Sequence, residues 1–196
     1  MRPSHRFGDL AATNWVFTGV PSLSKALFKN GDPYKHFLPL LAHSSSSEDP
    51  IPLLTSTVLT SLMASSRDES TATVKKALPH LFSYLSSLTK NSDAGLQDIG
   101  VLEYSSLLYG SASRKQFWAQ RSETVAPLIE ILQKACGVSN GDVSASLWSG
   151  TTGLSRSAES DGSLGGGVGL QLLYHVLLVL WQLSFEGEEV GDELNE

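Results

Sequence analysis

Five histidines, one cysteine, a glycine run and an acidic end are the residues of this chain whose types could do chemistry. Their spacing argues against it. His5, His36, His43, His80 and His175 nowhere form His-Glu-x-x-His, the pattern that sets two imidazoles on one helix face for zinc. His36 and His43 are seven residues apart and could share a face, but His43 falls at a helix end. His175 lies inside an apolar run and reads as a hydrogen-bonded core histidine. Cys136 sits on an apolar row and reads as packing, not as a nucleophile. Gly165, Gly166, Gly167 and Gly169 lack the following Lys and the preceding strand of a phosphate-cradling loop, so they read as linker. No Gly-x-Ser-x-Gly elbow occurs. Hence no catalytic, cofactor-binding or metal-binding residue is assigned, and no cofactor.

Composition narrows the class further. The chain has 196 residues, enough for one domain with a real core. It is 41% hydrophobic and only 17% charged, with a net charge of -6. Glu186, Glu188, Glu189, Asp192, Glu193 and Glu196 supply that excess, and the other acidic residues balance the 14 basic ones. There is no basic face for nucleic acid. The acidic end reads as a solvated face. A single cysteine excludes an intrachain disulfide, and MRPSHRFGDLAATNW lacks the apolar run of a signal peptide. These features point to the cytosol.

Such a chain must position itself through helices. Pro21 to Asn30 reads as a short helix with Pro early and Gly31 just past its end. Asp32 is an expected N-cap, with Pro33 at the first helical position and Phe37, Leu40 and Leu41 on one face. Ile51 to Ser66 places Leu54, Val58, Leu62 and Leu59, Met63 on adjoining rows, with small Ser and Thr residues between them that predict close helix packing. Ser70 to Lys90 repeats Val74, Leu78, Leu81, Leu85 and Leu88 at threes and fours, with Pro79 as an expected kink. Asp93 to Tyr109 puts Leu96, Ile99, Leu102 and Ser106 on one row. Residues 113 to 121 form a connector carrying Phe117 and Trp118. Thr124 to Cys136 is helical again, with Val125, Leu128, Ile129, Leu132 and Cys136 buried. Residues 138–168 are rich in Gly and Ser and read as a flexible, disordered insertion, dispensable for folding, with Trp148 as its one anchor.

The last helix is the most apolar. Gly169 to Phe185, GLQLLYHVLLVLWQLSF, confines Gln171, His175 and Gln182 to one narrow stripe. It is shorter than the roughly 20 apolar residues of a membrane span and has no flanking Lys or Arg. It therefore reads as a helix buried by other helices, without membrane insertion.

The segments repeat. Phe37-Leu-Pro-Leu-Leu41, Ala77-Leu-Pro-His-Leu81 and Val125-Ala-Pro-Leu-Ile129 set prolines 40 and 48 residues apart, and each is followed by a longer apolar helix. Armadillo and HEAT units recur at about 40–47 residues, because one helix pair cannot bury its own apolar face. The expected fold is all-α: a right-handed α-solenoid of armadillo/HEAT-like repeats, with units at about 32–66, 70–112 and 113–185.

Leu170-Gln-Leu-Leu-Tyr174, continuing to Leu180-Trp-Gln-Leu-Ser-Phe185, resembles the H-subunit family of V-type proton ATPases. Asp98 to Gly110, DIGVLEYSSLLYG, and Arg114 to Trp118 are similar to its fungal members. The resemblance implies an N-terminal armadillo-like domain fragment, in the cytosolic sector of the vacuolar proton pump at the cytoplasmic face of the vacuolar membrane. It implies binding to the peripheral stalk and other pump subunits, and regulation of the ATP hydrolysis that drives proton transport, with no nucleotide site of its own. The family's C-terminal domain is expected to be absent.

The other function class is a generic armadillo or HEAT scaffold that binds protein partners or peptides. Regularly spaced Asn and Trp on successive inner helices would mark it, and only Trp181 occupies such a place. Two expectations concern the last helix. Trp181 should lie in a buried seam, so that Trp181→Ala costs about 3–5 kcal/mol. Leu172, Val176, Val179 and Leu183 should include an uncovered apolar patch that drives self-association.

Overall fold

The computed structural model describes residues 32–42, 50–66, 72–136 and 168–187. The short helix at 21–30, the insertion up to residue 167 with Trp148, and the acidic end beyond Gly187 lie outside the described residues. The eight α-helices among the described residues are α1 (Tyr34–Leu41), α2 (Pro50–Ser66), α3 (Ala72–Thr89), α4 (Ala94–Leu107), α5 (Ser111–Ala119), α6 (Arg121–Thr124), α7 (Ala126–Ala135) and α8 (Leu170–Leu183). A 3-10 turn, Ser184–Glu186, follows α8. No β-strand occurs among the described residues.

Helix starts follow local chemistry. Asp32 Oδ1 accepts the Tyr34 N–H at 3.1 Å. Asp93 accepts from the N–H groups of Gly95 and Leu96 at 2.8 and 3.0 Å, satisfying two donors that the first turn of α4 leaves open. The stretch from Thr124 is not one helix, as its apolar row suggested. It breaks at Val125, and α7 starts at Ala126 with Pro127 in its first turn. The missing N–H of Pro127 costs nothing there.

Pro79 stays inside α3. Its ring removes the N–H that would bond the Lys75 carbonyl four residues back. Gln116 Nε2, from α5, donates to that carbonyl at 3.0 Å. The defect of one helix is thus filled by a side chain of another.

Two registers order the molecule. His175 Nδ1 lies 2.7 Å from Asp98 Oδ1, and Gln182 Nε2 donates to the Ser105 carbonyl at 3.0 Å. Both pairs are 77 residues apart, so α8 and α4 run parallel. Thr57 Oγ1 donates to Glu103 at 2.8 Å and Tyr109 Oη donates to the Met63 carbonyl at 3.1 Å, each across 46 residues. So α2 runs parallel to α4 as well. Helices α1, α3 and α7 pack on the other side: α1 on α2 and α3, α3 on α4, α7 on α3 and α8.

The core lies between these sets. Val58, Leu59, Leu62 and Met63 of α2 and Leu81, Phe82 and Leu85 of α3 are fully buried. The row predicted for α3 is the row observed, and so is that of α2 except that Leu54 is only half-buried. The row predicted for α4 is not. Leu102 is 43% exposed, while Gly100, Val101, Glu103, Tyr104 and Leu107 face inward. The reason is that α4 is covered by α2, α3 and α8 together, so its buried arc includes polar positions. In α7, Ile131 joins Val125 and Leu128 in the interior, while Ile129, Leu132 and Cys136 are half-buried. Val168, read as the end of the insertion, is buried in the main core.

Candidate protein-interaction surface

Helix α8 carries two apolar faces. Leu172, Val176, Val179 and Leu183 point into the core, from 0 to 4% exposed. The expectation that these four include an uncovered patch is therefore wrong. His175 and Gln182, seven residues apart, fix the rotation of the helix by pairing with α4. His175 is buried and bonded, as its apolar setting predicted. Of the polar stripe of α8, His175 and Gln182 thus face the protein, while Gln171 is exposed.

The opposite face is what solvent meets. Leu170, Tyr174, Leu177, Trp181 and Phe185 are each 50 to 63% exposed. Their steps of four, three, four and four make one continuous stripe. Trp181 and Phe185 stack edge to face with centroids 4.7 Å apart. Trp181 is thus not in a buried seam. Trp181→Ala is expected to change folding stability by less than about 1 kcal/mol, as for most surface substitutions. A drop above about 2 kcal/mol in a chemical denaturation curve would contradict this placement.

The end of the stripe is held firmly. Glu186 accepts from Ser111 Oγ at 2.7 Å and from Arg114 Nε at 2.6 Å, and Arg114 Nη1 donates to the Leu108 carbonyl at 3.1 Å. Partial desolvation pushes the Glu186 carboxyl up, but the bonds from Ser111 and Arg114 and the Arg114 charge outweigh it and hold it below its ordinary range. This clamp ties the turn after α8 to α5. No helix among the described residues is long and apolar enough to cross a membrane.

Other places offer less. An open groove of about 670 Å³ is lined by Trp118, Ala119, Arg121, Val125, Ala126 and Ile129. The Arg121 guanidinium sits 5.5 Å from the Trp118 ring centre. Among the described residues no carboxylate or imidazole lines this groove to move a proton. A smaller cleft between the α3–α4 turn and α7 is lined by Lys90, Gln97, Glu130 and Lys134 among others. His36 and His80 are exposed on separate helices, while His5 and His43 lie outside the described residues. Cys136 is half-buried just past α7. Among the described residues no three His, Cys, Asp or Glu side chains cluster as metal ligands.

Sequence reasoning missed the exposed stripe. Its signal was the seven-residue spacing of Tyr174 and Trp181 between leucines. That spacing was absorbed into the expectation of burial all round. Known proteins supply the context. The family model for the V-ATPase H subunit matches residues 14–196. No curated protein and no solved structure matches the chain. A match across nearly the whole sequence places this chain, helical throughout its described elements, in the H-subunit family of V-type ATPases.

Proposed function

We propose that the chain acts as a non-catalytic regulatory subunit of the V-type ATPase, in its cytosolic sector at the cytoplasmic face of the vacuolar membrane. The observation that carries this reading is the family match over residues 14–196. In this reading the chain binds the peripheral stalk and other pump subunits, and it modulates ATP hydrolysis coupled to proton transport. It does so by contact, not by chemistry of its own.

The same reading treats the helices as an armadillo-like solenoid. Three observations support it. Helices α2, α4 and α8 run parallel in fixed register. The proline-bearing helices α1, α3 and α7 pack against them. Pro39, Pro79 and Pro127 recur in that second set. Stacked pairs with parallel equivalent helices are how such repeats bury a continuous core. The stripe on α8 is the surface this reading assigns to an apolar helix of a neighbouring unit in the assembly, since α8 itself carries no acidic or basic side chain but His175.

The test is affinity purification of the protein from its own cells. Pump subunits are expected to come with it, and adding it to pump depleted of it should change the rate of ATP hydrolysis. The purified chain alone should hydrolyse no ATP. Leu177→Asp, on the exposed stripe, should leave the melting temperature nearly unchanged and weaken the association at least ~10-fold, the effect of about 1.4 kcal/mol. Hydrolysis that persists with the chain through stringent purification would overturn the non-catalytic reading. Absence of any pump subunit would overturn the whole.

A further inference from the structure

Glu103 is the one acidic side chain of α4 directed into the core, and its hydrogen-bond partners among the described residues are hydroxyls. It is 5% exposed. Ser56 Oγ and Thr57 Oγ1 donate to its Oε1 at 3.3 and 2.8 Å, and Thr60 Oγ1 donates to its Oε2 at 3.2 Å. All three hydroxyls belong to α2, so this cluster is the polar part of the α2–α4 contact. Helix α2 contains no Asp, Glu, Lys, Arg or His. On α4 itself, Asp98 is engaged with His175, and Tyr104 donates to the Phe82 carbonyl. Among the titratable groups of α3 and α8, the other helices against α4, are Lys75, Lys76, His80, Tyr84, Tyr174 and His175, and none is bonded to Glu103.

The hydroxyls have a second acceptor. Ser56 Oγ lies 2.8 Å and Thr57 Oγ1 lies 3.1 Å from the Leu53 carbonyl. Each hydroxyl has one proton and cannot serve both acceptors fully, but it keeps lone pairs that can accept. A neutral Glu103 resolves the conflict. Its O–H donates to Thr57 Oγ1, the Ser56 and Thr57 protons turn to Leu53, and Thr60 donates to the remaining oxygen. An ionised Glu103 must draw the hydroxyl protons away from Leu53 and, among the described residues, still lacks a counter-charge in its buried site.

We propose that the α2–α4 contact is a proton-sensitive joint, in which Glu103 clamps the two helices as a neutral acid and loosens them as a carboxylate. Burial pushes the carboxyl up to about 7, against the lowering effect of the bonds from Thr57, Ser56 and Thr60. An acid raised on folding binds its proton more tightly in the folded state than in the unfolded one. Its stabilising contribution is therefore complete below about 4.5 and is lost as pH rises to about 7.

Three measurements on the intact protein test this. In the wild type, carbon-13 NMR of glutamate side-chain carboxyls should show one resonance titrating near neutral pH while the exposed glutamates titrate near their ordinary values. Thr60→Val, which removes one donor to the carboxylate, should move that midpoint upward. Urea unfolding of wild type against Glu103→Gln should show the wild type losing folded-to-unfolded ratio relative to the variant, on the order of 100-fold between about pH 4.5 and 7.5. Protection of the α2 amides, taken relative to the intrinsic base-catalysed exchange rate at each pH, should fall over the same interval in the wild type alone. If every glutamate titrates below about 5.5 in the wild-type spectrum, the proposal fails, whether or not the variants fold. Parallel stability curves for wild type and Glu103→Gln would overturn it equally.

Discussion

Phe117→Ala is expected to lower folding stability by about 3–5 kcal/mol, the range for truncating a buried large aromatic. Phe117 is fully buried and sits against Phe82 and Tyr104, with ring centroids 5.2 and 4.8 Å away and interplanar angles of 87° and 84°. Phe82 and Tyr104 themselves meet at 6.0 Å. The three rings come from α5, α3 and α4, so they join three helices in one edge-to-face cluster. Helix α5 buries only Ser113 and Phe117, which makes Phe117 its main anchor. Losing the ring leaves a cavity that two rigid aromatics cannot close. Phe117→Leu should cost less than half as much. Urea denaturation of the three proteins side by side is the measurement. A loss below about 1.5 kcal/mol for the alanine variant would show that the cluster relaxes around the gap.

Gly100→Ala is expected to destabilise by about 1–3 kcal/mol, the usual cost of overpacking. Alanine normally favours a helix interior by about 1 kcal/mol over glycine, so the sign here is a strict test. The contact decides it. A Cβ on Gly100 would lie 3.0 Å from Leu88 Cβ, 3.2 Å from the Leu85 carbonyl oxygen and 3.2 Å from Thr89 Cγ2. The first two belong to parts of α3 that cannot swing aside. Helices α3 and α4 would have to separate, disturbing the bond from Gln97 Nε2 to the Thr89 carbonyl and that from Tyr104 to Phe82. A thermal melt showing Gly100→Ala at or above the wild type would mean that α3 gives way easily.

Sequence patterning revealed the helices and missed some of their orientations. The rows Val58, Leu59, Leu62, Met63 and Val74, Leu78, Leu81, Leu85, Leu88 are buried as their spacing suggested, although α2 buries Thr55, Ser56 and Thr60 beside its apolar row. Helix α4 departs from its apolar row for a physical reason. Its inward arc contains Gly100 and Glu103, one suited to close approach and the other to hydroxyl partners 43 to 47 residues away. No local periodicity reports such partners. The small Ser and Thr residues of α2 did signal close packing, but not the buried carboxyl group they enclose. Helix α8 is the sharpest case. With nearly every position apolar, hydrophobicity could not tell its core face from its outer face. The two polar residues that set its rotation, His175 and Gln182, turn inward, opposite to the usual rule. The exposed stripe was thus legible as composition and illegible as direction.

The proline inside α3 has an evolutionary consequence. The Lys75 carbonyl is open to Gln116 because Pro79 has left it without a helical donor. The two residues therefore function as a pair, although 37 positions separate them. A lineage that lost the proline would restore the bond within α3 and make the glutamine redundant. A lineage that lost the glutamine first would leave a bare carbonyl at the joint between α3 and α5. The order of substitution is therefore constrained: proline can be exchanged before glutamine at little cost, and the reverse path passes through a weaker intermediate. Aligned sequences from related chains should record that asymmetry, with Gln116 drifting only where the residue equivalent to Pro79 has already changed.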